Sequence, residues 1–292
     1  MRRFLPKFMQ TPAGAMTAFV VLVVLAVSCA QFFGDRTEKA SIERVAGPAG
    51  ALRVDDGGTG GVPIVFVHSF AGSKSHWAGQ LAEFRKTRRA VALDLRGHGQ
   101  SERPAGGDYA IESLATDIAA VADGLDLHRF VLVGHSLGGA ASIAYAAAHP
   151  ERVAALVLVG APTRMPPAQA RQIIGALQAD YDKVMLEFVN ELLAGAQPPV
   201  DKQLRGEMTS VPRDAGLSLI RAIFEFDPVP ALDAYRGPKF AIVTPHDDTP
   251  NDLHRIVPGL PYKLIGGTSH WPHMDNPAEF NRILHEFLAS AG

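Results

Sequence analysis

The chain has 292 residues, 47% of them hydrophobic and 20% charged, which is enough apolar surface for one sizeable core. The formal net charge is −2 and basic residues form no long run, which argues against nucleic acid as a partner. The single cysteine, Cys29, excludes an intramolecular disulfide, a zinc site built from several thiolates and an iron–sulfur cluster.

The first predicted element is an export segment. Arg2, Arg3 and Lys7 precede an uncharged, mainly apolar run at residues 15–30. A basic flank, an apolar run and small residues at its end are typical of a secretory signal. We therefore interpret residues 1–30 as a signal peptide or an N-terminal membrane anchor, and we expect an exported protein that is periplasmic, secreted or membrane-anchored.

Three ways of processing this segment are open. Small residues at positions 28–30 allow cleavage before Gln31. Residues 26–29 resemble a bacterial lipobox, in which Cys29 would carry a lipid and attach the protein to a membrane. The apolar run extended to Phe33 also approaches the length that spans a bilayer, which would leave an uncleaved anchor.

Residues 31–50 are polar and contain Gly and Pro, which predicts a linker to a catalytic domain at residues 51–292. In that domain strands and helices alternate. Predicted strands lie at 52–54, 63–67, 90–93, 130–133 and 154–159, and predicted helices at 81–86 and 111–125. The polar and glycine residues at 55–58 predict a turn after the first of these strands. Unbroken apolar runs are typical of parallel strands that are covered on both faces. The pattern therefore predicts an α/β fold with a doubly wound, mostly parallel sheet.

The alternation stops after Gly160. Residues from about 161 to 232 hold helical patterns with Pro breaks, and strands resume at 240–243 and 262–265 before a terminal helix at 278–288. This order predicts an inserted helical cap. Large apolar side chains of the insert are candidates for a substrate pocket beneath the cap, although they also suit plain packing. They are Met165, Met185, Phe188, Leu192, Met208, Phe224 and Phe226.

The strongest motif is Gly-x-Ser-x-Gly at residues 134–138, with Ser136 at its centre. It directly follows the predicted strand 130–133 and precedes a small-residue helix predicted from about Gly138. In this context a sharp strand-to-helix turn holds the serine in a strained conformation and lifts its hydroxyl above the sheet. Glycines on either side remove the clashes that side chains would make there. The motif predicts that Ser136 is the nucleophile of a hydrolase.

This motif and the order of its partners resemble the α/β-hydrolase fold superfamily, in particular small lid-bearing serine esterases and cofactor-free haloperoxidase-like hydrolases. The resemblance covers residues 52–289. It implies the α/β-hydrolase fold, a Ser-His-acid triad and a small-molecule, ester-like substrate. A serine nucleophile argues against dehalogenase and epoxide-hydrolase chemistry, which in this superfamily uses an aspartate.

Residues 67–73, which follow a predicted buried strand, are similar to the family's His-Gly-Phe/Trp turn. The resemblance implies that the backbone N–H groups of Phe70 and Leu137 form the oxyanion hole, each contributing about 3 kcal/mol to the barrier reduction. Ser69 departs from the pattern, since the family more often has Gly there. It either restricts the turn or adds a hydroxyl to the pocket. His68 is interpreted as a structural brace of the loop.

Residues 266–277 match the family's pattern of a histidine, an acidic residue five positions later and a Pro that opens the final helix. His270, Asp275 and Pro277 fit these positions, which implies that His270 is the general base. His273 is a competing candidate, but it lies nearer the helix and is expected to pack against it.

The triad acid is expected just after the predicted strand 240–243, where Asp247 and Asp248 are adjacent. Counting from Pro238 along the family's strand favours Asp247, whereas counting back from Pro250 makes Asp248 almost as good. We prefer Asp247, whose carboxylate would hold the imidazole tautomer and stabilise the imidazolium.

The histidines and aspartates at 246–254 match no metal-ligand spacing, so we expect no metal. The resemblance implies a hydrolase that needs no cofactor. The leading hypothesis is a serine hydrolase that cleaves carboxylic esters through an acyl-enzyme. One alternative is carbon–carbon or lactone hydrolysis by the same triad. Another is a ligand-binding or signalling protein that keeps the fold and turns over slowly, because a fold by itself does not decide function.

Overall fold

A computed structural model describes residues 41–291, apart from the side chain of Ile42. The predicted signal peptide or anchor at 1–30, the candidate lipid site Cys29 and the first part of the predicted linker therefore lie outside the described residues. Of the helices in the described range, none combines the length and the hydropathy that crossing a membrane requires.

Between residues 41 and 291 eight strands form one sheet. They are β1 (Ser41–Gly47), β2 (Gly50–Gly57), β3 (Ile64–Val67), β4 (Ala90–Asp94), β5 (Phe130–His135), β6 (Val153–Val159), β7 (Lys239–Val243) and β8 (Tyr262–Leu264). Their order across the sheet is β1-β2-β4-β3-β5-β6-β7-β8. β2 runs antiparallel to β1 and β4, and all other neighbours are parallel. The predicted doubly wound, mostly parallel sheet is confirmed.

Helices cover the sheet on two faces. In chain order they are α1 (Ala78–Phe84), α2 (Ile111–Gly124), α3 (Leu137–Ala148), α4 (Pro167–Ala179), α5 (Tyr181–Leu192), α6 (Pro198–Thr209), α7 (Arg213–Glu225), α8 (Pro228–Ala234), α9 (Leu253–Ile256), α10 (Pro272–Asp275) and α11 (Pro277–Ser290). Side chains of β3 alternate between two apolar cores, with Val65 and Val67 in the core that includes α2 and α3. Ile64 and Phe66 lie in the core that includes α1 and α11.

Two local predictions differ from the structure. β1 occupies residues 41–47, inside the interval 31–50 that the sequence assigned to a linker, because it pairs antiparallel with β2 along its whole length. The predicted turn at 55–58 is wrong, since β2 continues to Gly57. Asp55 and Asp56 are tolerated in this strand because Arg85 and Arg89 pair with them at 2.7 and 2.6 Å.

The helical insertion lies between β6 and β7, as predicted. Helices α4 to α7 form its outer part, and α8 packs against α3 of the sheet's own helical layer. The helices are amphipathic, and Pro at the first or second helical position opens α4, α6 and α8. The insertion follows the carboxyl end of β6 and therefore stands over the edge of the sheet at which parallel strands present functional groups.

Candidate active site

Ser136 joins β5 to α3 with φ 51° and ψ −118°, a left-handed conformation that costs a non-glycine residue about 1–3 kcal/mol. The turn is held by the Ser136 amide, which donates to the carbonyl of Val159 over 2.9 Å, and by the Ala140 amide, which donates to the Ser136 carbonyl over 3.1 Å. The half-buried serine lines a cavity between the sheet and the cap helices. The strained strand-to-helix turn predicted from the motif is therefore present.

The flanking glycines are required by close backbone approach. A Cβ on Gly134 would lie 2.4 Å from the carbonyl oxygen of Gly138 and from the hydroxyl of Ser142. A Cβ on Gly138 would lie 2.4 Å from the carbonyl oxygen of His68, at the end of β3. Both contacts are far inside van der Waals range, so the motif glycines let α3 start directly against the β3 loop.

The loop after β3 brings Phe70 to the same cavity. Ala71, the next residue, has φ 56°, so this loop is also strained. Leu137 is the first residue of α3, and its amide has no partner one turn earlier in the helix. The two amides that the resemblance implied as oxyanion donors thus belong to two backbone segments that meet beside Ser136.

His68 is fully buried and has a defined tautomer. Its Nε2 accepts the amide proton of Leu95 over 3.0 Å, so its Nδ1–H donates to the carbonyl of Ser69 over 2.8 Å. Burial, together with the nearby His98, keeps the pKa of His68 well below its usual value. His68 therefore braces the loop, as predicted.

Ser69 places a hydroxyl at the pocket wall and also bonds the backbone of its own turn, since its Oγ donates to the carbonyl of Phe70 over 3.3 Å. The two alternatives for this residue therefore do not exclude each other. Its Oγ accepts the indole N–H of Trp271 over 3.1 Å, and both side chains are buried and line the cavity. The bond joins the loop that carries Phe70 to the loop that carries His270. A contact between residues so far apart in sequence could not be predicted from either motif.

We expect Ser69→Ala to lower kcat/KM about tenfold and to lower Tm. The variant leaves the buried indole N–H of Trp271 without an acceptor, which costs about 1–3 kcal/mol. In a domain of this size each kcal/mol corresponds to about 2–4 °C in Tm. Kinetics and thermal unfolding measure both effects. Ser75→Ala, six positions further on, is the control, because Ser75 is exposed and, within residues 41–291, its hydroxyl bonds only to that of Ser73. Wild-type values for Ser69→Ala would contradict a role for the bond.

His270 lies in the loop between β8 and α10 and is held by its backbone as well as its ring. Its amide donates to the carbonyl of Leu192 in the cap over 3.1 Å. Its carbonyl accepts the Nε2–H of His135, the residue before Ser136, over 2.8 Å. The histidine is therefore fixed by the cap on one side and by the serine turn on the other.

The ring of His270 donates from Nδ1 to Oδ1 of Asp247 over 2.9 Å, and both side chains are at most 9% exposed. The other oxygen of Asp247 accepts the hydroxyl proton of Thr244 over 2.6 Å. Burial raises the pKa of Asp247, but His270 and the two hydrogen bonds outweigh it, so the pKa lies below the usual value. Asp247 is thus an ionised carboxylate at neutral pH.

Asp248 points away from this pair. Its Oδ1 accepts from the guanidinium of Arg255 at 2.8 Å and contacts Nε2 of His254 at 3.0 Å. It does not line the cavity that holds Ser136 and His270. The structure therefore brings Asp247 next to the predicted base, and places Asp248 in a separate ionic cluster.

Two residues of α10, the short helix that follows His270, have structural roles. His273 is buried and stacks on Trp77 with ring centroids 4.0 Å apart, so it packs as predicted. Asp275 accepts the amide and hydroxyl protons of Ser269 at 2.8 and 2.5 Å and the amide proton of Gln197 at 2.7 Å. Asp275, which the sequence matched only by its spacing, therefore ties the loop of the predicted base to the cap.

Gly160 is a site residue that sequence reasoning missed. It follows β6 with φ 47°, and a Cβ there would lie 2.7 Å from Cε1 of His270 and 2.8 Å from Oδ2 of Asp247. Only glycine leaves room for the pair. The available signal was its position directly after a buried strand, at the point where the alternation stops.

One group of potential metal ligands occurs among the described residues. His246, Asp247 and His270 each offer a ligand atom, and these atoms lie within 4.8 Å of one another. The His246 ring meets the His270 ring edge-on at 5.4 Å. Asp247 and His270 are hydrogen-bonded to each other, so a divalent ion bound there would compete with that bond.

The cavity has a volume of about 450 Å³, within the range of small-molecule sites. Of the apolar cap residues singled out from the sequence, five line it: Met185, Phe188, Leu192, Met208 and Phe224. Met165 lines a different cavity on the cap, and Phe226 lines one between the cap and α2. The expectation that part of the cap's apolar set forms a pocket beside the serine is confirmed.

Comparisons with a family profile, with known sequences and with solved structures each find hydrolases or the α/β-hydrolase fold. The sequence profile of the α/β-hydrolase fold family matches residues 62–199. The chain is 27% identical over 252 residues to 2-hydroxymuconate semialdehyde hydrolase of Pseudomonas sp. (strain CF600), covering 79% of this chain and 88% of that protein. The enol-lactonase from Burkholderia xenovorans LB400 superposes with a TM-score of 0.72 at 25% identity, over 85% of this chain and 100% of the other. A thermophilic esterase from Thermogutta terrifontis shares the fold, with a TM-score of 0.73 at 23% identity over 86% of this chain and 99% of the other.

Proposed function

Since the chain belongs to the α/β-hydrolase fold superfamily and is a hydrolase, we propose that it cleaves carboxylic esters through an acyl-enzyme on Ser136. In this proposal His270 is the general base and Asp247 orients it. One observation carries it. The bond of 2.9 Å from His270 to Asp247 lies on the wall of the cavity that Ser136 also lines. Because this bond holds the ring proton on Nδ1, Nε2 is the basic nitrogen.

The proposed reaction has two halves. The Ser136 hydroxyl loses its proton to Nε2 of His270 as its oxygen attacks the ester carbonyl, and the imidazolium then returns that proton to the leaving alcohol. Water attacks the acyl-enzyme with the same base and releases the carboxylic acid. The Ser136 hydroxyl makes no hydrogen bond within residues 41–291, and bonds of this kind often tighten only when substrate is present.

The oxyanion of each tetrahedral intermediate would be stabilised by the amides of Phe70 and Leu137. Both belong to rigid backbone: the Phe70 loop is braced by His68 and Ser69, and Leu137 is fixed by the Ser136 turn. Donors that need no reorganisation during the reaction are the ones that lower the barrier most.

Lactone or carbon–carbon hydrolysis is the second candidate. It is favoured by the similarity to an enol-lactonase and to 2-hydroxymuconate semialdehyde hydrolase. The same triad is compatible with both reactions. Product analysis distinguishes ester cleavage from lactone cleavage, because ester cleavage releases an alcohol, whereas lactone cleavage gives one ring-opened hydroxy acid.

Steady-state turnover of a short-chain 4-nitrophenyl ester by the purified full-length protein tests the proposal. We expect continuous release of nitrophenolate after a burst equal to the enzyme concentration, since acyl-enzymes accumulate with activated esters. A folded protein that releases no nitrophenolate, or stops after one equivalent, would contradict the esterase proposal, and one equivalent without turnover would favour a binding protein.

We also propose that the protein is exported, on the basis of Arg2, Arg3, Lys7 and the apolar run at 15–30. Mass spectrometry of the natively expressed N-terminus checks this. A first residue Gln31 would select secretion, and a lipid-modified Cys29 would select the lipoprotein. An intact Met1 on a protein recovered in the cytosolic fraction would exclude export.

A further inference from the structure

The charges around the cavity are unbalanced. Four carboxylates are among its lining residues: Glu187, Glu191, Asp247 and Asp252. No Lys or Arg is among the lining residues, all of which belong to the described part of the chain. Asp247 is paired with His270 and Asp252 with His254, but within residues 41–291 no Lys or Arg forms an ion pair with Glu187 or Glu191.

The acidic side of the cavity is the side of the base. His246 packs edge-on against His270, and burial lowers the pKa of His246 while the nearby carboxylates of Asp247 and Glu191 partly offset that effect. Glu191 directly precedes Leu192, whose carbonyl accepts the amide proton of His270 over 3.1 Å, and it lines the same cavity as both histidines. Asp252 lies in the same segment between β7 and α9. Burial raises the pKa of Asp252, and the nearby negative charge of Asp247 raises it further.

Another part of the cavity wall is apolar and belongs to the cap. It consists of side chains from α4 to α7 that carry no polar atoms except the thioether sulfurs: Ile173, Leu177, Met185, Met208, Ile220 and Ile223. A chain of methylene groups placed there gains about 0.8 kcal/mol for each CH₂ that it buries. A carboxylate placed there would lose its hydration and find no cation as partner.

The chemistry assigns the two parts of an ester to these two regions. The imidazolium of His270 protonates the departing oxygen, so the alcohol part lies on the side of the base, where Glu191 and Asp252 also lie. The acyl part then lies on the opposite side of the carbonyl, under the apolar cap. A negative charge on the acyl part would be desolvated, and one on the alcohol part would be repelled by carboxylates.

We propose that this cavity selects uncharged esters with an apolar acyl chain and excludes substrates that carry a carboxylate on either side of the scissile bond. The inference rests on the proposed esterase function and adds the substrate class. It follows from the distribution of charge in the cavity and does not depend on cavity size.

Matched substrate pairs test the acyl and alcohol sides separately. For the acyl side, 4-nitrophenyl hexanoate is compared with mono-4-nitrophenyl adipate, which replaces the terminal methyl by a carboxylate, and with the methyl ester of that adipate as the size control. For the alcohol side, 3-carboxyphenyl hexanoate is compared with its methyl ester. The assays are done at pH 8, because burial raises the pKa of Asp252 to about 6 and the carboxylate is then ionised.

We expect kcat/KM for each carboxylate substrate to be about 10- to 30-fold below that of its neutral partner, as for two charges roughly 8 Å apart in a partly solvated site. Added salt should reduce the difference in kcat/KM between the neutral and the carboxylate substrate on the alcohol side. Glu191→Gln should also reduce this difference in kcat/KM. Asp182→Asn is the control: it removes an exposed carboxylate of α5 that lies outside the cavity, and it should leave the difference unchanged.

Equal cleavage of neutral and anionic partners would overturn the inference while leaving the esterase proposal in place. If no ester is cleaved, the esterase proposal fails, and calorimetric binding of the same pairs to the Ser136→Ala protein still tests the charge preference. Preferential binding of the neutral partner would support the inference, and equal or tighter binding of the carboxylate would overturn it.

Discussion

Ser136→Ala is expected to lower kcat for ester hydrolysis about 10⁴-fold or more, because no acyl-enzyme can form without the hydroxyl. The residual rate would come from the oxyanion amides and from substrate binding alone. Steady-state kinetics with a 4-nitrophenyl ester measure the loss, and the burst of nitrophenolate should also disappear.

The structure predicts that this variant folds normally. Within residues 41–291 the Ser136 hydroxyl makes no hydrogen bond, so its removal leaves no buried partner unsatisfied, and Ala tolerates φ 51° about as well as Ser does. Thermal unfolding should therefore give a Tm close to that of the wild type. Substantial activity in a folded Ser136→Ala protein would reject Ser136 as the nucleophile.

Asp247→Asn is expected to lower kcat about 10⁴-fold, the typical effect of losing the analogous carboxylate in a serine triad. The amide still reaches Nδ1 of His270, but it presents no negative charge to the imidazolium that forms during attack. It can also favour the wrong tautomer by donating its own proton to the ring. The measurement is kcat against pH, which separates a loss at every pH from a shift of the profile.

Asp248→Asn is the matched comparison, because it makes the same chemical change one residue away. Asp248 bonds to Arg255 and His254 outside the cavity, so we expect activity within about threefold of the wild type, typical of a surface substitution. A large loss in Asp248→Asn with little effect of Asp247→Asn would transfer the role to Asp248. Mild effects in both would mean that neither is the triad acid.

The sequence alone was sufficient for features set by a few consecutive residues. The turn at Ser136 is encoded by glycines two positions before and two positions after it. Gly134 leaves space for the first turn of α3, and Gly138 leaves space for the carbonyl of His68 after β3. The central parallel strands β3 and β5 could be recognised because both of their faces are buried, which leaves an unbroken apolar run. The inserted helical segment could be recognised by the interruption of that pattern.

The same local reasoning failed where a partner strand or side chain overrides propensity. Residues 41–47 form β1 only because β2 lies beside them, and the polar segment gave little sign of it. Taken without its partners, the Asp55–Asp56 pair predicts a turn. In the folded chain it continues β2, because Arg85 and Arg89 reach it from another part of the chain.

Only the tertiary structure shows which of Asp247 and Asp248 contacts His270. Adjacent residues in a loop point in different directions. Asp248 contacts His254 and Arg255, only six and seven positions further along the chain, whereas the partner of Asp247 is His270, 23 positions away in another loop. The bond from Trp271 to Ser69 likewise joins side chains 202 positions apart. The negative charge of the cavity also depends on the tertiary structure, because its carboxylates come from α5 and from the segment after β7. Short sequence patterns determine local backbone conformation, whereas contacts across the fold depend on all the elements that bring two groups together.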